Sequence, residues 1–200
     1  MKDPLWLPLT ILVEDMWGHR DYLDFPMDTD ELRKWQAKEA TLTYVSADTL
    51  PTGIDMPLGA ERPSLAQINA LARIIDEHPE AANVVEEAID CGATAPTTAL
   101  ELANMLAQAS DIPLVDLTEV LEDVPYDPDE AIGTYLAEVA GLRTRLRTAN
   151  IEKWFDYAKF GHDMAAGALV GFDSFIPAGA QMPALDTYSW EEVEALCCAH

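Results

Sequence analysis

Apolar residues recur at helical spacing through the middle of the chain, and strong helix-start residues punctuate them. Ser64 and Gln67 have the spacing of a capping box, so a helix with an apolar stripe is predicted to begin there. Pro79 is typical of the first turn of a second helix, and Gly92 is typical of the residue just after its end. The pattern predicts two consecutive amphipathic helices.

Two further helix starts follow in the same stretch. Thr98 and Glu101 repeat the capping-box spacing before an apolar run. Asp127 is a strong N-cap because a proline and two acids come directly after it, and Gly141 is expected to end that helix. The middle of the chain is therefore predicted to be helical.

Strands and helices alternate on both sides of this stretch. Before it, the predicted elements are strands at 9–13, 22–25 and 42–45 and a helix at 30–37 capped by Asp28 or Thr29. After it, they are a helix at 151–166, an extended segment at 169–176, a linker at 177–183 and a last helix capped by Ser189 and Glu192. The expected fold class is α+β.

Charge changes the picture more than any other property of the composition. The 200 residues include 36 Asp and Glu but only 12 Lys and Arg, so the net charge is -24. Nucleic acid and anionic membranes are not expected as ligands, since both would repel such a chain. Duplex DNA carries one charge per about 1.7 Å, so this charge matches about 40 Å of duplex, close to the diameter of a compact chain of this length. The density favours imitation of DNA. The alternative is that the acidity keeps the protein soluble or reflects a high-salt cytoplasm, in which acidic surfaces are general.

The acidity is concentrated between Ile74 and Leu142, where the sequence contains neither Lys nor Arg. The candidate partner-binding residues are the sixteen carboxylates of this stretch: Asp76, Glu77, Glu80, Glu86, Glu87, Asp90, Glu101, Asp111, Asp116, Glu119, Glu122, Asp123, Asp127, Asp129, Glu130 and Glu138. About half are expected to cap helices, which is ordinary for acids in first turns. A capping carboxylate still projects negative charge, so a basic surface on another protein is the expected partner.

Common catalytic and metal-binding patterns are missing from the sequence. It has no glycine-rich phosphate loop, no HExxH or CxxC motif and no Gly-x-Ser-x-Gly elbow. Asp127 and Asp129 have the spacing that opens a calcium loop, but Ile132 stands where the loop needs glycine. The four histidines stand singly, and aromatic residues such as Trp35 and Trp154 are assigned to core packing. We therefore expect no catalytic residue, no metal and no cofactor.

Cysteine usage and hydropathy bear on the compartment. Cys91 is isolated and Cys197 and Cys198 are adjacent, so no disulfide framework is expected. The apolar run at 5–13 has neither the length nor the cleavage site of a signal peptide, and no segment approaches a membrane span. A reducing cytoplasm is the expected location.

Several segments, in order, resemble the ArdA antirestriction proteins carried by plasmids, phages and conjugative transposons. The segments are 21–32 (DYLDFPMDTDEL), 64–72 (SLAQINALA), 127–136 (DPDEAIGTYL), 155–164 (FDYAKFGHDM) and the pair Gly171 and Phe172. Each motif is short, so the inference depends on their order and spacing over residues 20–178. The chain departs from the family in a basic cluster at Arg143, Arg145 and Arg147 and in a tail from Gln181.

The resemblance implies an elongated, bent chain of three small domains, with a helical acidic middle flanked by small antiparallel sheet and helix units. The domains are expected at 1–62 (N-terminal, α+β), 63–110 (central, helical) and 111–180 (C-terminal, α+β), followed by a tail at 181–200. The resemblance also implies a homodimer in the bacterial host cell whose carboxylates follow the phosphates of bent DNA. Such a dimer would block the DNA groove of a type I restriction-modification enzyme, without a cofactor and without being an enzyme.

Three other interpretations stay open. The first is the same mimicry directed at a CRISPR effector or another DNA-binding protein. The second is an acidic protein-interaction module with an apolar contact surface, and the third is an unrecognised hydrolase. Salt separates mimicry from the second interpretation, because high ionic strength weakens contacts between charges and spares or strengthens apolar ones.

Overall fold

The computed structural model describes residues 9–39, 42–47, 62–122 and 127–197. Over these ranges the chain has a mixed α+β fold with nine α-helices and two antiparallel sheets of three strands each. The α+β class predicted from the sequence is confirmed. Within the same ranges, no helix is long and apolar enough to cross a membrane.

The described elements alternate along the chain. In chain order they are β1 (Leu9–Glu14), β2 (Arg20–Phe25), α1 (Thr29–Gln36), β3 (Thr43–Ala47), α2 (Leu65–Glu77), α3 (Pro79–Asp90), α4 (Ala99–Ala107), β4 (Val115–Asp116), α5 (Thr118–Leu121), α6 (Pro128–Val139), α7 (Leu142–Thr148), α8 (Tyr157–Met164), β5 (Leu169–Val170), β6 (Ser174–Ile176) and α9 (Trp190–Cys197). Short 3-10 helices lie at Ala109–Asp111 and Glu152–Trp154.

The described residues group into two compact units. The first unit takes those of 9–86, 96–111 and 183–197, and the second takes those of 87–95 and 112–182. The division into three domains and a tail, and the elongated shape, stay predictions.

The first unit contains a three-stranded sheet in the order β2-β1-β3. The register of β1 against β2 places Ile11 opposite Leu23, and both side chains are buried because directly opposite residues share a face. Helix α1 begins after Asp28, whose carboxylate accepts the backbone N–H of Glu31 at 2.8 Å. The three N-terminal strands predicted from the sequence, and the helix between the last two, are confirmed.

The helices of the first unit begin where their capping residues predict. Ser64 Oγ accepts the backbone N–H of Gln67, and the Gln67 side chain accepts the N–H of Ser64, which completes the capping box of α2. Thr98 Oγ1 accepts the N–H of Glu101 at 3.2 Å, but the Glu101 carboxylate accepts the N–H of Thr97 instead of that of the cap. The predicted starts of α2 and α4 are confirmed, but the capping box predicted for Thr98 and Glu101 is only half formed.

The tail binds back onto the first unit through a buried amide. Asn104 on α4 is 0% exposed, its Nδ2 donates to the carbonyl of Tyr188 at 3.0 Å, and its Oδ1 accepts the N–H of the same residue at 2.8 Å. Ser189 and Glu192 then form a capping box that begins α9, as predicted, and Val193 of that helix is fully buried. The tail therefore contributes to the core of this unit.

The second unit is built around a small sheet in the order β4-β6-β5. Its buried cluster consists of Leu117, Ala131, Ile132 and Phe175, and the Tyr135 ring packs edge-on against Phe175 with centroids 6.0 Å apart. Helix α6 supplies three of these five side chains. The other face of α6 packs against α8.

That other face crosses α8 at two glycines. A Cβ atom at Gly133 of α6 would fall onto the backbone carbonyl of Tyr157, and a Cβ atom at Gly161 of α8 would fall onto the carbonyl of Asp129. The two backbones are therefore in direct contact, which no larger residue permits.

Two sequence predictions for the second unit need correction, and three of its elements were not predicted. The single helix predicted at 151–166 is wrong, because Asp156 accepts the backbone N–H of Lys159 at 2.8 Å and so begins α8 after a separate 3-10 turn. The extended segment predicted at 169–176 is two strands, β5 and β6, joined by a turn. Gly141 ends α6 as predicted, but α7 begins directly after it, and neither α7, α5 nor β4 was predicted.

The Gly133→Ala variant is expected to lower the free energy of unfolding by about 1–3 kcal/mol or more, because the added methyl group must push α6 and α8 apart. In an ordinary helix the same change raises the free energy of unfolding by roughly 0.5–1 kcal/mol. A decrease would therefore show that α6 and α8 are in close contact at this position. Urea unfolding followed by circular dichroism measures it. Val139→Ala, at a position of the same helix that is 69% exposed, should change the value by less than about 0.5 kcal/mol. Equal or higher stability of Gly133→Ala would contradict the close contact.

Candidate partner-binding surface

Fifteen of the sixteen candidate carboxylates lie within the described residues, and Asp123 lies outside them. None of the fifteen is buried. The exposed ones are Asp76, Glu77, Glu80, Asp90, Asp111, Asp116, Glu119, Glu122 and Glu138, and the half-buried ones are Glu86, Glu87, Glu101, Asp127, Asp129 and Glu130. All fifteen therefore have some contact with solvent.

Helix α3 carries the densest group of these acids. Glu80, Glu87 and Asp90 are spaced by seven and three residues, so they follow one another along one helix face. Val85, which is fully buried, lies on the opposite side of the helix, and Glu86 lies at the edge of the acidic face. The helix rises about 1.5 Å per residue, so the acidic face extends over about 15 Å.

Among the described candidates, three carboxylates accept backbone N–H groups at or next to helix starts, which is fewer than the half expected from the sequence. Asp116 and Asp127 each accept a backbone N–H at the start of the following helix. Glu101 accepts the N–H and the hydroxyl of Thr97. The backbone hydrogen bond from Thr97 lowers the pKa of Glu101 most strongly, the hydroxyl adds to it, and burial opposes both. These three carboxylates therefore satisfy backbone N–H groups at or next to helix starts.

Three other candidates face a basic side chain. The pairs are Glu80 Oε1 with His78 Nδ1 at 3.5 Å, Asp129 Oδ2 with His162 Nδ1 at 3.2 Å, and Glu138 Oε2 with Arg143 at 3.7 Å. Only the last pair contains a permanent cation. The pair between Asp129 and His162 joins α6 to α8 next to the glycine crossing.

A further group is held by no partner in the described parts of the chain. Within 9–39, 42–47, 62–122 and 127–197, no hydrogen bond or ion pair is formed by the side chains of Asp76, Glu77, Asp90, Asp111, Glu119, Glu122 and Glu130. Their charge is therefore not compensated by the described residues. It is available to cations of another molecule.

The basic cluster that departs from the ArdA pattern is largely occupied inside the second unit. Arg143 Nε and Arg147 Nε bind Glu152 at 3.1 Å and 2.9 Å, and the Tyr157 hydroxyl donates to the same carboxylate at 3.2 Å. The hydrogen bond from Arg147 is the main cause that lowers the pKa of Glu152; burial opposes it, and the bond from Arg143 adds to the lowering. Arg145 is exposed and forms no ion pair with a described residue.

Sequence reasoning missed the role of Glu152. Arg143 and Arg147 are four residues apart on α7, so their side chains lie on one helix face and can share a carboxylate. The four-residue spacing of the two arginines was the sequence signal for a shared carboxylate. The acid that completes the site comes from the 3-10 turn, which the sequence pattern assigned to a longer helix.

Cys91 and the potential metal ligands among the described residues were the remaining candidates for reactive groups. Cys91 is 5% exposed, and burial is the main cause that raises the pKa of its thiol; a hydrogen bond with Ser174 acts the other way, and the nearby Glu87 and Asp90 raise it further. A protonated, buried thiol is a poor nucleophile. Among the described residues, no three His, Cys, Asp or Glu side chains are placed to hold a metal ion. The absence of catalysis stays a prediction.

Core packing is the wrong assignment for one of the aromatic residues. Trp154 is 71% exposed, and the Lys153 ammonium lies 4.3 Å from the centre of its ring. Trp35 is half-buried, and the Lys38 ammonium lies 4.9 Å from its ring. Phe155, in contrast, packs edge-on against neighbouring aromatic rings of α8. Trp154 is the last residue of the 3-10 helix, and Phe155, which follows it, is the residue that joins the aromatic cluster.

Comparisons with protein-family models, curated proteins and solved structures find no match for this chain. The resemblance to ArdA proteins therefore stays a prediction from short motifs.

The Glu152→Gln variant is expected to lower the melting temperature at pH 7, because it removes the charge that binds Arg143 and Arg147. The folded state lowers the pKa of Glu152, so its stabilisation is present above the unfolded value of about 4.3 and is lost as pH falls through the lower folded value. The deficit should therefore shrink below about pH 4. Melting followed by circular dichroism at several pH values measures it.

Glu77→Gln is the matched control, since it removes the same charge from an exposed position in the last turn of α2. A negative charge there opposes the helix dipole and adds to self-repulsion, so its removal should leave the melting temperature unchanged or raise it. Equal effects of the two variants at pH 7 would show that the Glu152 ion pairs do not stabilise the fold.

Proposed function

We propose that this protein is a DNA mimic that inhibits a type I restriction-modification enzyme by occupying its DNA-binding groove. The observation that carries the proposal is the set of surface carboxylates in a stretch without Lys or Arg, seven of which have no hydrogen bond or ion pair among the described residues. Their charge suits the Lys and Arg side chains of a DNA groove.

The spacing on α3 supports mimicry over simple solubility. One strand of duplex DNA places a phosphate about every 3.4 Å along the axis, so about 15 Å of the strand carries about four phosphates. The same length of α3 carries Glu80, Glu86, Glu87 and Asp90. A groove that reads phosphates would therefore meet a comparable number of charges on this helix.

Rigid placement of the charges favours binding. Asp127 and Glu101 are held by hydrogen bonds at helix starts, and the acids of α3 lie on a formed helix. Less side-chain and backbone freedom is then lost on binding than in a flexible acidic tail. The proposed inhibitor is stoichiometric, acts as a homodimer and requires neither cofactor nor turnover.

The choice of a type I restriction-modification enzyme follows from the resemblance to ArdA proteins. A CRISPR effector or another DNA-binding protein fits the same charges, and competition assays with purified candidates separate these targets. An apolar interaction module is the second candidate function, because Val139, Trp154 and Phe172 are 69–71% exposed in the second unit. High salt should weaken binding by a mimic and spare or strengthen binding through apolar contacts.

Neutralising the acidic face of α3 is expected to weaken inhibition. The variant Glu80→Gln, Glu87→Gln, Asp90→Asn should raise the inhibition constant about tenfold to a hundredfold and reduce its dependence on salt, because three charge contacts are lost. The assay titrates the protein against a purified type I enzyme at several DNA and salt concentrations. Inhibition should be competitive with DNA and lost at high salt.

The control variant Glu31→Gln, Asp186→Asn, Glu191→Gln makes the same charge change at exposed positions outside the candidate set. It should raise the inhibition constant less than about threefold. The single change Glu86→Gln should also have a small effect. Loss of inhibition by that single change, with the fold intact, would contradict distributed mimicry, and inhibition that persists at high salt would favour the apolar module.

A further inference from the structure

A cavity of about 350 Å³ lies in the first unit, where the hairpin of β1 and β2 meets the end of α1. Val13 and Leu42 are buried side chains of its lining, and Trp17 and Trp35 add two indole rings. None of these residues belongs to the acidic stretch on which the proposed function rests. The cavity therefore offers an apolar and aromatic lining separate from that surface.

The register of the sheet explains why acids stand beside this apolar lining. Asp21 on β2 lies directly opposite Val13 on β1, so both side chains point to the face that further along carries Ile11 and Leu23. Val13 is 1% exposed, whereas Asp21 is exposed. Asp21 is therefore the last residue of the core face at the hairpin end of β2. Its carboxylate lines the cavity and forms no hydrogen bond or ion pair with a described residue.

Asp15 fixes the position of the loop that carries Trp17. Its Oδ1 accepts the backbone N–H groups of Trp17 at 2.8 Å and His19 at 2.9 Å, and its Oδ2 lies 3.0 Å from His19 Nδ1. Burial acts to raise the pKa of Asp15, but these hydrogen bonds outweigh it and lower the value. A charged carboxylate therefore orders the loop and adds negative potential to the cavity.

The cavity already contains a cation from the chain itself. Lys38 lines it, and the Lys38 ammonium lies 4.9 Å from the centre of the Trp35 ring. This distance is within the range of a cation–π interaction. The indole face of Trp35 thus accommodates a positive charge beside Asp15 and Asp21.

From this combination we propose that the cavity binds the guanidinium group of an arginine side chain presented by a protein partner. The apolar lining suits the methylene stem, the indole rings suit a planar and weakly hydrated cation, and Asp21 supplies an acceptor for its N–H groups. Neutral and anionic ligands lack the charge that the two carboxylates favour. Only the identity of the partner, a protein with an arginine-rich DNA groove, rests on the proposed function.

The test follows the five tryptophan indole N–H signals of the full chain by nuclear magnetic resonance, assigned with Trp→Phe variants. The probes are Nα-acetyl-arginine amide, its neutral isostere Nα-acetyl-citrulline amide, and Nα-acetyl-lysine amide. The arginine probe should shift the signals of Trp17 and Trp35 saturably, with a dissociation constant on the order of a millimolar. Trp154 and Trp190 serve as internal references, the lysine probe should bind several times more weakly, and the citrulline probe should not saturate.

Two pairs of variants separate the cavity from the general negative potential of the chain. Asp21→Asn should weaken arginine binding about threefold to tenfold. Asp24→Asn, on the opposite face of β2 and with its acceptor for Thr10 retained, should change it little. Lys38→Met should tighten binding about twofold to fivefold by removing the competing cation. Its control is Lys34→Met on α1, which makes the same charge change outside the cavity lining.

Several outcomes overturn the proposal. These are equal shifts with the citrulline probe, equal affinity for the lysine probe, equal shifts of all indole signals, and equal effects within either pair of variants. Failure of the proposed function is a different result, because it is read from inhibition of the restriction enzyme. Arginine binding without inhibition would leave the cavity assignment standing, and inhibition without arginine binding would overturn only the cavity.

Discussion

A chain with a net charge of -24 can fold around its small apolar cores only if the repulsion between its carboxylates is limited. Helix starts meet part of this requirement, since Asp28, Asp127 and Asp156 each lie at an N-cap where backbone N–H groups stabilise the charge. Glu152 meets it in another way, between two guanidinium groups. Other acids, such as Asp76, Glu77 and Asp90, lie on exposed parts of helices and are not compensated by the described residues, so they are the ones available to a partner.

The sequence predicts the elements whose signals are local. The capping box of Ser64 and Gln67 involves neighbours in the chain, so residue spacing alone places the start of α2. The same holds for Asp127, whose cap and following proline fix the start of α6. The failure at 151–166 has a local cause too, because Asp156 is an N-cap that the apolar pattern around it hides.

The sequence predicts which residues belong to the candidate site, but not which of them contact residues distant in the chain. The sequence identifies every carboxylate of the acidic stretch, and the caps among them follow from spacing. The contact of Asp129 with His162 joins residues 33 apart, and only the crossing of α6 and α8 brings them together. The cavity beside Trp17 and Trp35 is likewise a product of strand register, which hydrophobic alternation does not specify at a hairpin end.

The buried amide of Asn104 has a consequence for how sequences of this kind vary. Its partner Tyr188 is 84 residues further along the chain, in the tail beyond the segments that resemble ArdA proteins. A homologue that lacked the tail would leave the Asn104 Oδ1 without its Tyr188 donor, would leave Nδ2 only the carbonyl of Leu100, and would empty the space of Val193; these losses are costly in a small core. The asparagine and the tail are therefore expected to be inherited together, so that an apparent C-terminal extension and a single internal position behave as one evolutionary character.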